Sequence, residues 1–389
     1  MNNFEYYIPT KVLFGKGQIA RLGEAVSLYG TRALLVYGGG SIKRTGLYDK
    51  VLAQLKENNI PVFELSGVEP NPKIESVREG VRLCKENNVD IVLAVGGGSS
   101  IDCAKVVAAG ACYDGDAWDL VIHPEKIKRA LPLVTVLTLA ATGSEMNGNA
   151  VISDMSKNDK FGTAGLALKP KVSILDPEYT YSVPKNQTAA GTADIMSHIF
   201  EVYFNRVPGT FIQARFAEGL LKTCIKYGKI AVNDPHNYEA RANLMWASSL
   251  AINGILSYGA GVAWSAHPME HELSAFYDIT HGVGLAILTP NWMTYVLEHD
   301  KSTVDRFAEY GINVWGIRED LDKMEIAKQA IQKTRDFFTE IGIPSTLREV
   351  GIGEENLEIM AKKAASMGLE NAYYPLDEKD VLAIYKASL

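Results

Sequence analysis

The chain has 389 residues, of which 47% are hydrophobic and 22% charged, and its formal net charge is −7. This composition excludes a disordered or fibrous protein, and the length predicts two domains. With 46 acidic against 39 basic residues and no basic run, nucleic acid is not expected as a partner. The start, MNNFEYYIPT, does not resemble a secretory signal, and no apolar run of about 18 residues is found, so we expect a cytoplasmic protein without a membrane partner.

The first half alternates short β-branched runs with amphipathic stretches, a pattern typical of a parallel sheet with crossover helices. Four runs are candidate strands: ALLVY (33–37), VFEL (62–65), DIVLAV (90–95) and LPLVTVLTLA (131–140). Two stretches between them have helical spacing: LYDKVLAQLKENN (47–59) and IESVREGVRLCKENN (74–88). We therefore predict an α/β nucleotide-binding domain over residues 1–183.

From about Gln187 onward the pattern changes to long stretches of helical periodicity with no convincing strand among them. Examples are ARFAEGLLKTCIKYGKIAV, YEARANLMWASSLAINGIL and MEIAKQAIQKTRDFFTEI. Pro184 lies where the two patterns meet. The second predicted domain, residues 184–389, is therefore all-α.

A triple glycine in VGGGSSID (95–102) lies between a candidate buried strand and a helix predicted to begin near Ile101. Glycine lets a ligand approach the backbone closely, and a helix start presents N–H groups to a pyrophosphate. The later turn ATGSE adds the Thr142 hydroxyl. The spacing differs from GxGxxG, so a turn that serves chain geometry alone is the alternative. The candidate cofactor contacts here are Gly96, Gly97, Gly98, Ser99, Asp102 and Thr142.

Another triple glycine, in YGGGSIK (37–43), occupies the place where many NAD-binding folds put an acidic residue on the ribose 2′-hydroxyl. Residues 38–44 contain no carboxylate and offer a hydroxyl and positive charge instead. A 2′-phosphate would find donors and cations there, so we predict a preference for NADP(H). The alternative is that Lys43 and Arg44 only begin a solvated helix. The candidate contacts are Gly38, Gly39, Gly40, Ser41 and Lys43.

One carboxylate and three histidines of the second half have a spacing suited to metal binding. Asp194 and His198 are four residues apart and would lie on one face of a helix. His267 begins HPMEH, and His281 follows in DITHGVG. Such a set suits Fe(II) or Zn(II) and leaves a position for a substrate oxygen, so the predicted centre is catalytic.

His271 lies one helical turn after His267 and is a candidate proton-relay or substrate-orienting residue, or else a hydrogen-bond partner of a neighbouring helix. The sequence from His267 to His271 also matches H-x-x-E-H, a zinc-peptidase motif with Glu270 as the base. A peptidase mechanism would give Asp194 and His198 no role, and a peptidase would not need a nucleotide-binding domain.

With these residues in view, the chain resembles the iron-containing (group III) alcohol dehydrogenase family, and most closely its NADP(H)-dependent butanol dehydrogenase branch. The resemblance covers essentially the whole chain. Its motifs are PTKVLFGKG, EPNP, VGGGSSIDCAK, TLAATGSEMN, KNQTAAGTADIMSHIFE, WSAHPMEHELSA and DITHGVGLAILTP.

The resemblance implies the dehydroquinate synthase-like fold, in which a Rossmann-like domain is followed by a helical metal domain, with catalysis in the cleft between them and a homodimer as the common assembly. The residues that match the family's metal ligands are Asp194, His198, His267 and His281. The residues that match its pyrophosphate loop are Gly97, Gly98 and Ser99. Those that match further cofactor contacts are Asn71, Thr138, Asn147 and Lys160.

The expected reaction is hydride transfer between NADP(H) and a small primary alcohol or aldehyde such as butanol and butanal. A divalent Fe(II) or Zn(II) ion would polarise the substrate oxygen, and His271 and His267 are the candidate catalytic residues. Besides the peptidase, a nicotinamide-using cyclase of the same fold and a non-catalytic binding protein are alternatives. A cyclase for an acidic substrate would need a Lys and Arg cluster near the ligands, which the helical half does not show.

Overall fold

The computed structural model describes all 389 residues, which fold into two compact units that are each built from separate stretches of chain. The sheet unit consists of Tyr7–Val183 and Pro235–Ser249. The helical unit consists of Met1–Tyr6, Pro184–Asp234 and Leu250–Leu389. The domain division at 183/184 stays a prediction, and the two units differ from it in the segments 1–6 and 235–249.

The sheet unit contains a six-stranded parallel sheet and a separate hairpin. Its strands are β1 (Lys11–Phe14), β2 (Ala33–Tyr37), β3 (Val62–Leu65), β4 (Ile91–Gly96), β5 (Leu133–Leu137), β6 (Asn149–Asp154), β7 (Asp159–Ala164) and β8 (Val172–Leu175). The order across the sheet is β1-β8-β5-β4-β2-β3, and every neighbouring pair is parallel. Strands β6 and β7 pair antiparallel. The parallel sheet predicted for the first half is confirmed.

The central strands are buried on both faces. Leu34 and Val36 of β2 pack in one hydrophobic core, while Ala33 and Leu35 of the same strand pack in another. Successive residues of a strand point to opposite faces, so burial on both faces requires a continuous apolar run. This is why these strands could be recognised in the sequence.

The four predicted strands correspond to β2, β3, β4 and β5, whereas β1, β8 and the hairpin were not predicted. Strands β1 and β8 have only four residues each. The hairpin strands, NAVISD and DKFGTA, mix polar and small residues and show no clear alternation. Short or weakly apolar strands are defined by their pairing with neighbours rather than by their own composition.

Six α-helices accompany the sheet: α1 (Leu22–Ser27), α2 (Ser41–Arg44), α3 (Leu47–Glu57), α4 (Ile74–Glu86), α5 (Gly98–Gly110) and α6 (Ala117–Ile122). Helix α5 begins at Gly98, three residues before the predicted start near Ile101. Gly97 is extended and serves as its N-cap, so the last glycine of the triple already belongs to the first helical turn. The N-terminal N–H groups of this helix therefore lie directly at the end of β4.

The rest of the chain is helical, as predicted. Its helices are α7 (Lys185–Tyr203), α8 (Phe211–Asn233), α9 (Tyr238–Ile252), α10 (Ala266–Tyr277), α11 (His281–His299), α12 (Val304–Trp315), α13 (Lys323–Glu340), α14 (Leu357–Ala365) and α15 (Glu378–Ala387). Helix α9 contributes residues to both units. None of the helices combines the length and the apolar character that a bilayer span requires.

Candidate functional site

Three helices of the helical unit bring the four predicted metal ligands together. Asp194 and His198 lie one turn apart on α7, His267 is the second residue of α10, and His281 is the first residue of α11. The Asp194 Oδ1 atom is 3.7 Å from the Nε2 atoms of both His198 and His281. Asp194, His267 and His281 each offer a ligand atom within 4.8 Å of the others. The side chains thus converge on a common point.

The donor atoms fit a divalent metal ion. The Nε2 atom of His267 is buried and makes no hydrogen bond, although its ring lies 4.8 Å from that of His198 and 5.3 Å from that of His281. Burial lowers the pKa of His198 well below its usual value, and the neighbouring His267 and His281 lower it further. A neutral imidazole is the form that binds metal. One carboxylate and three such rings suit Fe(II) or Zn(II).

Two buried carboxylates that the sequence analysis did not assign to the centre lie behind these histidines. Glu201 Oε1 is 2.9 Å from His267 Nδ1, and Glu270 Oε2 is bonded to His281 Nδ1. A signal for Glu201 was available, since Asp194, His198 and Glu201 follow the i, i+4, i+7 spacing of one helical face. For Glu270 the sequence suggests only the role of a peptidase base, within the HPMEH motif.

The environment of Glu270 does not support the peptidase arrangement. Its Oε2 accepts from His281 and its Oε1 accepts a 2.5 Å hydrogen bond from Ser274, so both oxygens are bonded to protein donors. The His271 ring is half-buried, 6.4 Å from the His267 ring and 5.7 Å from the His281 ring. Glu270, His271 and His281 also offer ligand atoms within 4.8 Å of one another, which places His271 beside the metal ligands.

In the sheet unit, the glycine loop after β4 and the turn after β5 lie side by side. The Thr138 N–H donates to the Gly96 carbonyl at 3.0 Å. A Cβ atom on Gly98 would lie 2.3 Å from the Thr142 hydroxyl, so only glycine fits there. Gly97, the N-cap of α5, has no side chain to satisfy the first N–H groups of the helix, which are available to an anion.

The loop after β2 is also glycine-rich and also leads directly into a helix. Gly40, with φ of 95°, precedes the short helix α2, which contains Ser41 and Lys43. The Lys43 Nζ atom lies 5.2 Å from the ring centre of Tyr37 and 4.6 Å from that of Tyr48. Hydrogen bonding to Tyr37 raises the pKa of Lys43, so the ammonium stays charged at neutral pH.

A carboxylate that the sequence analysis did not consider lies next to this loop. Glu64 is on β3, which pairs with β2, and it accepts hydrogen bonds from the hydroxyls of Tyr37 at 2.6 Å and Tyr48 at 2.7 Å. The predicted preference for NADP(H) rests on residues 38–44 alone. Local sequence could not reveal Glu64, because the pairing of β2 with β3 brings it to the loop.

Two of the predicted cofactor contacts are engaged in a buried polar cluster. The Asp102 oxygens accept from the Ser144 hydroxyl at 2.5 Å and from the Val151 N–H at 2.9 Å. The Asn147 Oδ1 atom accepts from Lys105 Nζ at 2.9 Å. Burial lowers the pKa of Lys105 to about 8, although Asp102 opposes this. The cluster fastens α5 to the turn before β6, and the role of Asp102 and Asn147 as cofactor contacts stays a prediction.

Elsewhere in the sheet unit, Lys160 of β7 donates to the Asn71 side-chain oxygen at 3.0 Å. Asn71 has φ of 49°, a left-handed conformation that asparagine tolerates better than most residues. The structure therefore joins two residues that are far apart in the sequence and that both belong to the predicted set of cofactor contacts.

A family model described as iron-containing alcohol dehydrogenase matches residues 9–177. A second, described as the C-terminal part of the Fe-containing alcohol dehydrogenase family, matches residues 188–389. The chain belongs to the iron-containing alcohol dehydrogenase family.

Named relatives of this family are similar along the full chain. The NADH-dependent butanol dehydrogenase A of Clostridium acetobutylicum is 61% identical, with 100% of both chains covered. The NADPH-dependent aldehyde reductase YqhD of Escherichia coli is 40% identical, covering 95% of this chain and 94% of its own. The crystal structure of NADH-dependent butanol dehydrogenase A from Thermotoga maritima has a TM-score of 0.94 at 40% identity, covering 100% and 99% of the two chains.

The protein is therefore an alcohol dehydrogenase or aldehyde reductase with a nicotinamide cofactor. The peptidase and cyclase alternatives find no support among these relatives, and membership of an enzyme family argues against a non-catalytic binding protein. These relatives differ in their cofactor, since two of them are named as NADH-dependent and one as NADPH-dependent.

Proposed function

We propose that the protein transfers a hydride between NADP(H) and a small primary alcohol or aldehyde, such as butanol and butanal. The observation that carries the proposal is the convergence of one carboxylate and three imidazoles, with the His267 Nε2 atom buried and making no hydrogen bond. The names of the similar butanol dehydrogenases and of the aldehyde reductase support the substrate class.

In this proposal one divalent ion, Fe(II) or Zn(II), is held by Asp194, His198, His267 and His281. When bound, the ion supplies Lewis-acid chemistry that polarises the carbonyl of the substrate. The residues contribute one carboxylate and three imidazoles, largely buried and held on three packed helices, so little reorganisation is needed during turnover.

His271 is the proposed proton donor to the alkoxide. It lies one turn after His267 on the same helix and is half-buried, so its ring has access both to the ligand histidines and to water. An imidazole can exchange protons near neutral pH, which suits a residue that must donate and be recharged in each cycle.

The pyrophosphate is proposed to bind Gly96, Gly97, Gly98 and Ser99 at the start of α5. Backbone N–H groups and the positive end of the helix dipole favour an anion there. The predicted further contacts are Asn71, Asp102, Thr138, Thr142, Asn147 and Lys160.

The preference for NADP(H) over NAD(H) rests on the loop after β2. The candidate contacts in this loop include four uncharged residues, Gly38, Gly39, Gly40 and Ser41. The fifth, Lys43, is a cation with a raised pKa. Glu64 is a nearby carboxylate that opposes a 2′-phosphate, and the hydroxyls of Tyr37 and Tyr48 both donate to it. Hydrogen bonds of this kind reduce the negative potential that a carboxylate presents to a ligand.

A homodimer, which the family resemblance implies, and a cytoplasmic location, which is the expectation from the sequence pattern, complete the proposal. Light scattering coupled to gel filtration measures the assembly directly. A monomer at assay concentration would contradict the homodimer and leave the catalytic proposal untouched.

The test is an anaerobic assay of metal-stripped protein reloaded with Fe(II) or with Zn(II), against aldehydes of increasing chain length and with NADPH or NADH. We expect turnover only after reloading, measurable reduction of butanal, and a higher kcat/KM with NADPH. No oxidation of reduced nicotinamide with any aldehyde would overturn the proposed function. Equal or better kcat/KM with NADH would overturn only the cofactor preference.

A further inference from the structure

Besides the ligand Asp194, two buried carboxylates touch the metal-site histidines: Glu201 and Glu270, with 3% and 0% of their surface exposed. Each contacts the Nδ1 atom of one ring, Glu201 that of His267 and Glu270 that of His281. The opposite ring nitrogens, the Nε2 atoms, face the proposed ion. A carboxylate is expensive to bury unless donors satisfy it, so both positions need a physical reason.

Glu201 holds the backbone of its histidine as well as the ring. Its Oε2 accepts from the Ser265 N–H at 2.7 Å, and its Oε1 accepts from the Ala266 N–H at 2.9 Å and the His267 N–H at 3.1 Å. Ser265 is the N-cap of α10, but its hydroxyl donates to the Ala263 carbonyl and does not cap the helix. A carboxylate from α7 thus caps α10, where the helix dipole favours negative charge.

Glu270 joins α10 to α11 in a similar way. Besides His281, it bonds the Ser274 hydroxyl one turn later on its own helix. A Cβ atom on Gly284 would lie 2.8 Å from the Glu270 Cγ atom, so the missing side chain at Gly284 is what lets the carboxylate approach α11. The position of His281 is therefore set by a group on the neighbouring helix.

His198 is held differently. Its Nδ1 atom is buried and has no hydrogen-bond partner, and its ring stacks on that of His267 with 4.8 Å between the centres. Packing fixes this ring, whereas carboxylates fix the other two. The three imidazoles of the centre are thus not equivalent.

We propose that Glu201 and Glu270 are positioning residues that keep the proton of His267 and His281 on Nδ1, so that both Nε2 lone pairs face the ion, and that they thereby set its affinity. The inference rests on the proposed metal centre. A carboxylate behind a histidine fixes its tautomer and raises its basicity as a ligand, and loss of such a group lowers metal affinity about 10- to 100-fold.

The test measures zinc affinity by competition with a chelator, without reference to turnover. Glu270→Ala should bind Zn(II) about 10- to 100-fold more weakly than the wild type. Glu270→Gln should lose less affinity than Glu270→Ala, because the amide oxygen can still accept from His281 and hold its proton on Nδ1, while the amide N–H donates to Ser274. Glu218→Gln is the control, since Glu218 is a buried carboxylate of the same unit whose partners are Tyr203, Arg215 and Asn313 and include no histidine, so its variant should bind Zn(II) like the wild type.

Wild-type affinity in Glu270→Ala, or equal weakening in Glu270→Ala and Glu270→Gln, would overturn the positioning role. A wild-type protein that retains no zinc would instead overturn the metal centre itself. If the Ala variant does not fold, ¹⁵N NMR of the wild-type zinc form decides the point. We expect slowly exchanging Nδ1–H protons on His267 and His281, and an ion bound through Nδ1 of either ring would contradict the inference.

Discussion

The two units of this protein build their candidate sites from different parts of the chain. In the sheet unit, the loops after β2 and β4 offer mainly backbone N–H groups, and glycine provides the space. In the helical unit, four side chains on three helices converge, with carboxylates behind two of them. Added volume should therefore damage the first site most, and a changed donor atom the second.

Removing a ligand should have the largest effect. Asp194→Ala leaves three imidazoles and no charge to balance a divalent ion. We expect loss of bound metal and a fall in kcat of about a thousandfold, since the ion is worth several kcal/mol in the transition state. Metal analysis and steady-state kinetics on the same preparation measure both. The control is His299→Ala, because His299 is an exposed histidine of α11 that stacks on Tyr295; this variant should keep the wild-type metal content and kcat. An Asp194→Ala protein with a full complement of metal would contradict the assignment of Asp194 as a ligand.

The next largest effect should follow from His271→Ala, which removes the proposed proton donor and leaves the four ligands in place. General acid catalysis contributes about a hundredfold or more, so kcat should fall by that factor while metal content stays at the wild-type level. Full activity of the variant across the pH range of the wild type would remove the role assigned to His271.

In the sheet unit, Gly98→Ala should show how strongly the glycine loop depends on space. The new Cβ atom would lie 2.3 Å from the Thr142 hydroxyl and push the two loops apart. We expect a rise in the cofactor KM of about tenfold and a loss of about 1–3 kcal/mol in the free energy of unfolding, as for other overpacked sites. Gly219→Ala, at an exposed position of α8 outside both loops, is the control, because nothing lies within 4 Å of its Cβ position. Equal effects of the two substitutions would argue against the steric explanation.

A smaller change is expected from charge at the other loop. Lys43→Ala should lower the ratio of kcat/KM for NADPH to that for NADH by about tenfold, the value of one charge-assisted contact. Glu64→Gln should raise the same ratio, because it removes the carboxylate that opposes a 2′-phosphate. Lys56→Ala, an exposed lysine on α3, serves as the control. A ratio that neither Lys43 nor Glu64 alters would place the selectivity elsewhere.

The last effect is on stability rather than on activity, and it concerns the buried Lys105 and the dependence of the free energy of unfolding on pH. Burial lowers its pKa from 10.5 to about 8, so between these values the unfolded chain binds more protons than the folded one. The free energy of unfolding should gain a positive contribution as pH rises through this window, at most about 1.4 kcal/mol per pH unit. Urea denaturation of the wild type and of Lys105→Met over that range measures it, and the variant should lack this contribution. Parallel curves would show that Lys105 does not titrate there.

Much of the fold could be predicted because its signals are local. Strands β2 and β4 are continuous apolar runs that end in glycine, and α7 carries Asp194 and His198 one turn apart. Strand β8 and the β6–β7 hairpin could not be predicted from the sequence, because neither their length nor their hydrophobic periodicity distinguishes them from loops. The start of α5 was misplaced because glycine is a poor helix former, yet here the close approach of Thr142 requires it at the first position.

By itself the sequence determined the parallel sheet, the helical second part, the glycine loops and the four candidate ligands, since each depends on neighbouring residues or short spacings. Tertiary structure alone decided that Glu201 caps α10 and holds His267, that Glu270 holds His281, and that Glu64 reaches the loop after β2. It also decided that 235–249 packs with the sheet unit. The physical reason is separation along the sequence. Backbone preferences act over a few neighbouring residues, whereas these contacts join groups that only packing brings together.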